Sequence, residues 1–187
     1  MVSLPGHRSL GDADDRTLAG RASDGDIRAF EILMRRYEPL LSAYAARLLG
    51  SYSETDDVVQ EAFIVAWQQL PTMEDFGAVR RWLLQIVTRK SIDRLRARKD
   101  HADIDDHDLP SHTGDPEEAA SASSLDDALS RALSALPEDQ RRCWLLREVG
   151  GYGYDEIAEQ LELPPSTVRG LLARSRKTLI REMEAWR

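Results

Sequence analysis

Apolar residues along the chain recur at helical spacing in separate blocks. In AFEILMRRYEPLLSAYAARLLG, Phe30, Leu33, Met34, Tyr37, Leu40, Leu41, Tyr44 and Leu48 fall on one side of a 3.6-residue repeat, and Gly50 is placed to stop it. Ser53 and Thr55 are candidate N-caps for a second helix, DDVVQEAFIVAWQQL, which should end at Pro71. A short loop, PTMEDFGA, precedes a longer helix from about Val79 to Lys99. After residue 124 the pattern resumes in LDDALSRALSAL and in PEDQRRCWLLREV, with Pro137 in the first turn. Gly150, Gly151 and Gly153 break the chain before two closely spaced helices, YDEIAEQL and PSTVRGLLARSRKTLIREMEAW. No segment alternates as a strand would. The expected fold is all-α, with two small helical domains.

The texture between the blocks sets the boundaries. Residues 100–124 are rich in Asp, His, Ser, Pro and Gly without periodicity, and read as a flexible acidic linker. Fully extended, such a linker spans roughly 80 Å; as a flexible coil it spans about 28 Å. The organisation expected is an N-terminal extension over 1–23, a helix bundle over 24–99, the linker over 100–124 and a second helical domain over 125–187. The extension has no assigned role.

Charge sharpens this division. The net charge is −8, which by itself disfavours nucleic acid, but the charges are segregated. Arg80 to Lys99 holds eight bases against one acid, Pro165 to Arg187 six against two, and Asp100 to Asp127 ten acids and no base. Phosphate binding depends on charge within a Debye length of roughly 8–10 Å, so two basic islands around an acidic bridge are compatible with DNA.

The C-terminal pair of helices has the pattern of a helix-turn-helix. Ala158 supplies the small residue where the helices cross, and Val168 and Leu171 supply the inner face of the second helix. Stepping 100° per residue puts Val168, Leu171, Leu172 and Ser175 on one side. Ser166, Arg169, Gly170, Ala173 and Lys177 lie on the other, with Arg174 and Arg176 on its flanks. Arg169 is placed for guanine edges, and Arg174, Arg176 and Lys177 for phosphates. Glu162 occupies the turn position where such motifs often carry Gly.

Two further segments are chemically mixed. In the second helix Val58, Val59, Ala62, Phe63 and Ala66 share one arc, and Asp56, Asp57, Gln60 and Glu61 the other. Ile64 and Trp67 fall on that polar arc, either as part of a docking face or packed on a neighbouring helix. In FGAVRRWLLQIVTRKSIDRLRARK, Phe76 and Trp82 lie near Arg80, Arg81, Arg89 and Lys90. Aromatics beside cations suit unstacked bases, although core packing is the commoner fate of such a Trp.

These pieces, in this order, resemble the extracytoplasmic-function (ECF) group of bacterial RNA polymerase sigma factors. TDDVVQEAFIVAW is similar to the family's polymerase-docking helix, and RRWLLQIVTRKSIDRLRARK to its promoter-melting and −10-reading segment. LSALPEDQRRCWLLREVGGYGYDEIAEQLELPPSTVRGLLARSRKTL is similar to the domain that reads the −35 element. The resemblance implies a transcription-initiation factor with core RNA polymerase and promoter DNA as partners. Asp56, Asp57, Gln60 and Glu61 would bind polymerase. Phe76, in the loop from Pro71, would accept a flipped −10 base. Arg80, Arg81, Trp82, Arg89, Lys90 and Arg94 would complete the melting surface. Ser166, Thr167, Arg169, Gly170, Arg174, Arg176 and Lys177 would face the −35 major groove. An anti-sigma protein is a further implied partner. Arg89 stands where the family often has Asn, and Gly170 where it often has Ser; both positions lie on surfaces that choose sequence.

Other classes fit less well. A stand-alone helix-turn-helix regulator would not need the bipartite charge layout. His101, His107 and His112 among Asp103, Asp105, Asp106 and Asp108 are metal-ligand types, but in a segment with no apolar framework to hold them. No glycine-rich phosphate loop or nucleophile–base arrangement occurs, so no enzyme, metal or cofactor is expected. Cys143, amid Trp144, Leu145 and Leu146, reads as an inert core thiol. One cysteine allows no intrachain disulfide. No stretch approaches the roughly 20 apolar residues of a membrane span, and residues 1–23 have no apolar core of a secretory leader. A cytoplasmic location without membrane insertion is expected.

Overall fold

The computed structural model describes residues 10–102 and 125–186. Among them every regular element is helical. The front bundle consists of α1 (Asp15–Ser23), α2 (Ile27–Leu49), α3 (Thr55–Gln69) and α4 (Val79–Ala102). The tail unit consists of α5 (Leu125–Ser134), α6 (Glu138–Trp144), α7 (Tyr154–Leu161) and α8 (Pro165–Trp186). Short 3-10 turns, Leu70–Thr72 and Phe76–Ala78, lead from α3 into α4.

Local chemistry explains the ends. Asp14 and Asp26 each turn a carboxylate onto a backbone N–H of the following first turn, Thr17 at 2.7 Å and Ala29 at 3.1 Å. Both carboxyls are held below the usual carboxylate value by those backbone hydrogen bonds. Gly50 ends α2 with a left-handed φ of 70°. At α3 the expected caps are replaced. Glu54 takes the N-cap position without a side-chain bond to the helix, while the Thr55 hydroxyl donates to the Ser51 carbonyl at 3.1 Å. Pro137 is the N-cap of α6 and not a residue of its first turn.

The amphipathic pattern becomes the core. Leu33, Tyr37, Leu41, Tyr44 and Leu48 of α2 are buried with Val58, Val59, Ala62, Phe63 and Ala66 of α3 and with Leu83, Leu84 and Val87 of α4. Each fully buried leucine contributes roughly 1.5–3 kcal/mol. From Leu10 onward the expected N-terminal extension is built into this bundle. Leu18, Ala19 and Ala22 of α1 are buried, and Arg36 and Tyr37 of α2 bond to Asp15. Burial and that bond push the Tyr37 hydroxyl up to about 12. The signal missed was the short apolar stripe of α1, preceded by an Asp cap. The expected linker lies, beyond Ala102, outside the described residues.

The tail unit buries Leu145, Leu146, Ile157, Val168 and Leu172 in one core together with Cys143. Burial pushes the Cys143 thiol up to about 11, as an inert core thiol requires. Beyond α6 the chain widens into a π-helical turn over Leu145–Val149, with Gly150 N–H donating to the Leu145 carbonyl at 3.0 Å. This turn delivers the Gly150–Gly153 loop.

The two units pack on one another through exchanged helix caps. Arg141 Nε donates to the Arg47 carbonyl at 3.0 Å, and Arg142 Nε to the Leu48 carbonyl at 3.3 Å. Within the front bundle, Arg98 reaches the Leu49 carbonyl at 3.3 Å. In return, Arg96 Nη2 of α4 donates to the Glu159 and Gln160 carbonyls at the end of α7, at 3.4 and 3.2 Å. The last carbonyls of a helix lack intrahelical partners and carry its negative dipole end, which suits a guanidinium.

Candidate nucleic-acid interface

The helix-turn-helix comes from α7 and α8. Ala158 is buried at the crossing, and its carbonyl accepts the Leu163 N–H at 2.9 Å, closing the turn. Glu162, inside that turn, has φ 56° and is the non-glycine residue with positive φ among the described residues. This conformation costs an L-residue about 1–2 kcal/mol. Val168, Leu171, Leu172 and Ser175 face inward, and the Ser175 hydroxyl donates to the Leu172 carbonyl at 2.9 Å.

The outer side of α8 is open. Ser166, Arg169, Ala173, Arg174, Arg176 and Lys177 are exposed, with Thr167 and Gly170 half-buried. Arg174 folds back over Gly170, where a Cβ would lie 3.4 Å from its Nη1. Arg176 is tied to Glu148 at 2.8 Å, a bond that raises the guanidinium's pKa. Arg169, Arg174 and Lys177 therefore form a cationic face at the start and middle of the helix.

The second surface lies on α3 and α4. Asp56, Asp57, Gln60, Glu61 and Ile64 are exposed along α3, with Ile64 at 59%. Trp67 does not join them: it packs on Phe30, ring centroids 5.0 Å apart. Across the helix pair, Glu61 meets Lys90 at 3.2 Å and Arg94 at 3.3 Å, and Arg94 also lies 3.6 Å from Glu54. Glu54 is paired with Arg98 as well. The acidic face of α3 and the basic face of α4 thus share Glu61. Arg80 and Arg89 are exposed, and Trp82 is half-buried against the core.

Phe76 sits where α1 meets the loop before α4. Its ring lies over Gly20, where a Cβ would stand 3.6 Å away, and Asp75 beside it pairs with Arg16 at 2.8 Å. Asp75 also accepts the Gly77 N–H at 2.9 Å. Phe76 is consequently held by α1 and half-buried.

Arg81 is the residue of this group that leaves its own unit. Its Nη2 donates to the Gly151 carbonyl at 3.2 Å. Next to it Tyr152 is buried, its hydroxyl turned toward Thr88 without forming a hydrogen bond. Thr88 instead bonds Tyr44 at 2.8 Å. Sequence reasoning did not single out Arg96, Lys99 or Tyr152, whose partners lie in the other unit. The only hint was Glu162, standing where a glycine is cheaper.

The sequence matches Sigma-70 region 2 over residues 33–101 and Sigma-70, region 4 over residues 126–179. It is 31% identical over 176 residues to the ECF RNA polymerase sigma-E factor of Escherichia coli K12, covering 88% of this chain and 92% of that protein. The chain belongs to the ECF sigma factors. The front bundle holds region 2 and the tail unit region 4. As a sigma factor, the chain directs promoter-specific transcription initiation together with core RNA polymerase. Two solved structures are also similar. CnrH, solved in complex with the cytosolic domain of CnrY, is 29% identical with a TM-score of 0.50, covering 91% of this chain and 97% of that one. The sigma factor RpoE of Bartonella quintana, solved with the anti-sigma factor NepR, is 24% identical with a TM-score of 0.58, covering 84% and 98%; it supports the fold. No helix among the described residues is long and apolar enough to cross a membrane.

Proposed function

We propose a division of labour among the surfaces of this sigma factor. Asp56, Asp57, Gln60 and Glu61, with exposed Ile64, dock core polymerase. Phe76 receives an unstacked −10 base, and Arg80, Arg81, Trp82, Arg89, Lys90 and Arg94 hold that base's neighbours and backbone. Ser166, Thr167, Arg169, Gly170, Arg174, Arg176 and Lys177 form the −35 surface, entering the major groove on α8. The front bundle, with α1 added to the expected residues 24–99, and the tail unit over 125–187 are the working units, and the chain between α4 and α5 is the tether. The observation that carries this reading is the exposed cationic face of α8 opposite a wholly buried apolar one.

Strand opening in this reading draws on binding energy and involves no covalent chemistry: unpaired bases are captured on aromatic and cationic side chains. The protein works as a non-enzymatic factor in the cytoplasm. An anti-sigma protein is its regulatory partner, in keeping with the similarity to CnrH, which was solved with a bound polypeptide.

Run-off transcription on a genomic fragment library, with core polymerase and with or without this chain, tests the proposal. Promoter-specific transcripts that depend on both components are expected. Duplex binding with no core-dependent transcript would overturn it in favour of a stand-alone regulator.

A further inference from the structure

The loop that carries Phe76 is shaped from outside, by α1. Asp75 is the N-cap of the 3-10 turn Phe76–Ala78, and its Oδ1 accepts the Gly77 N–H at 2.9 Å. The same oxygen accepts a hydrogen bond from Arg16 Nη2 at 2.8 Å. A Cβ on Gly77 would stand 3.1 Å from Arg16 Nη2 and 3.3 Å from its Nε, so the guanidinium lies against the backbone of the turn. Four residues on, Gly20 shares the helix face of Arg16 and leaves room for the Phe76 ring. Arg16 thus fixes the carboxylate that caps the turn, while Gly20 seats its ring.

α1 is itself held from behind. Asp15, next to Arg16, bonds Arg36 and Tyr37 of α2, and Arg36 Nη2 also donates to the Gly11 and Ala13 carbonyls, each at 3.1 Å. Leu18, Ala19 and Ala22 bury the inner face of the helix. These ties fix α1 to the core without Arg16, whose side chain is 71% exposed and pairs with an Asp75 side chain 64% exposed. An exposed ion pair adds little to folding stability. A bias of that size is nevertheless enough to shift a short loop between arrangements by a few-fold.

We propose that Arg16 is a positioning residue for −10 recognition. Acting through Asp75, it fixes the turn that presents Phe76 and so sharpens the choice of the unstacked base. Arg16 touches no base itself. This role rests on the reading of Phe76 as the receiver of that base. It gives α1, which precedes the stretch matched to Sigma-70 region 2, a share in promoter choice.

The test uses the full chain with core polymerase on a duplex library randomised through the −10 and −35 regions. Sequenced transcripts give the base preference at each position. Phe76→Ala marks the position that the ring reads, lowering preference there by at least about fivefold. Arg16→Ala is expected to lower preference at that same position by about two- to fivefold, the range an exposed pair allows. The −35 profile and the melting temperature should not move. Asp75→Ala removes both the pair and the cap of the turn, and lowers preference further. In the Asp75→Ala background Arg16→Ala should cost nothing more, because its carboxylate partner is gone. An equal cost with and without Asp75 would mean direct contact with DNA and overturns the positioning role. An Arg16→Ala profile identical to the wild type, or lowered evenly at every position, overturns it too, and leaves the Phe76 reading standing. If Phe76→Ala itself leaves every −10 preference intact, the reading of Phe76 falls and takes the role of Arg16 with it.

Discussion

Arg142 on α6 donates its Nε proton to the carbonyl of Leu48, 3.3 Å away at the end of α2, and so finishes a helix that belongs to the other unit. Burial depresses the guanidinium's pKa, with Glu138 opposing that shift. Truncating this side chain leaves a helix-end carbonyl without its donor. Arg142→Ala is expected to lower unfolding free energy by about 1–2 kcal/mol in a urea titration. Arg181→Ala, whose side chain is 75% exposed, should change it by less than about 0.5 kcal/mol.

Leu172 is 1% exposed beneath the cationic face of α8. Leu172→Ala removes buried methyl groups and leaves a cavity, a loss of about 2–5 kcal/mol. Thermal unfolding followed by circular dichroism should register it as a clear drop in the midpoint for region 4.

Lys177 and Arg174 are exposed and hold the phosphate positions of the −35 surface in the proposed reading. Each phosphate contact releases condensed counterions. Lys177→Ala should therefore flatten the log–log dependence of duplex affinity on salt by about 0.9. Arg169→Ala, by contrast, should weaken binding mainly on the preferred sequence, by about 1–3 kcal/mol. Anisotropy titrations across a salt series on cognate and scrambled duplexes separate the two effects.

Asp57 and Gln60 are exposed on α3, so changing them leaves the core untouched. Asp57→Arg with Gln60→Glu should keep the wild-type melting temperature while weakening association with core polymerase at least tenfold, about 1.4 kcal/mol. Co-sedimentation with core enzyme and calorimetry of the free chain check both halves.

Acid should loosen the front bundle through its caps. Asp14 and Asp26 titrate below their ordinary value of 3.8 because the Thr17 and Ala29 N–H groups bond the charged form. Their contribution is complete above that value and is lost as pH falls through the lower folded values. Asparagine caps nearly as well as aspartate. The double variant Asp14→Asn, Asp26→Asn should match the wild type near pH 6 and show a shallower loss of urea midpoint in acid.

Periodicity made most of the fold legible. The apolar stripes of α2, α3 and α8 became the buried faces, and Gly50 and Pro165 mark ends where the pattern placed them. Arg169, Arg174 and Lys177 were readable because a helix facing water on one side separates its charges by angle alone. Trp67 was not decidable, since the arc it occupies faces Phe30 of α2, and neighbouring helices are invisible to a single-helix projection. Arg81, Arg96 and Arg142 were harder still. Their partners are backbone carbonyls 63 to 94 positions away in sequence, and a carbonyl carries no residue identity for a pattern to find.

The seal around Cys143 has a practical consequence. A thiol with a pKa of about 11 is ionised to roughly one part in ten thousand at neutral pH, and this one is also out of reach of solvent. Maleimide dyes will ignore it while the tail unit stays folded. Paired cysteines introduced on the exposed faces of α3 and α8 can then carry donor and acceptor in the otherwise native chain, and the separation of the two units becomes a distance to be followed one molecule at a time.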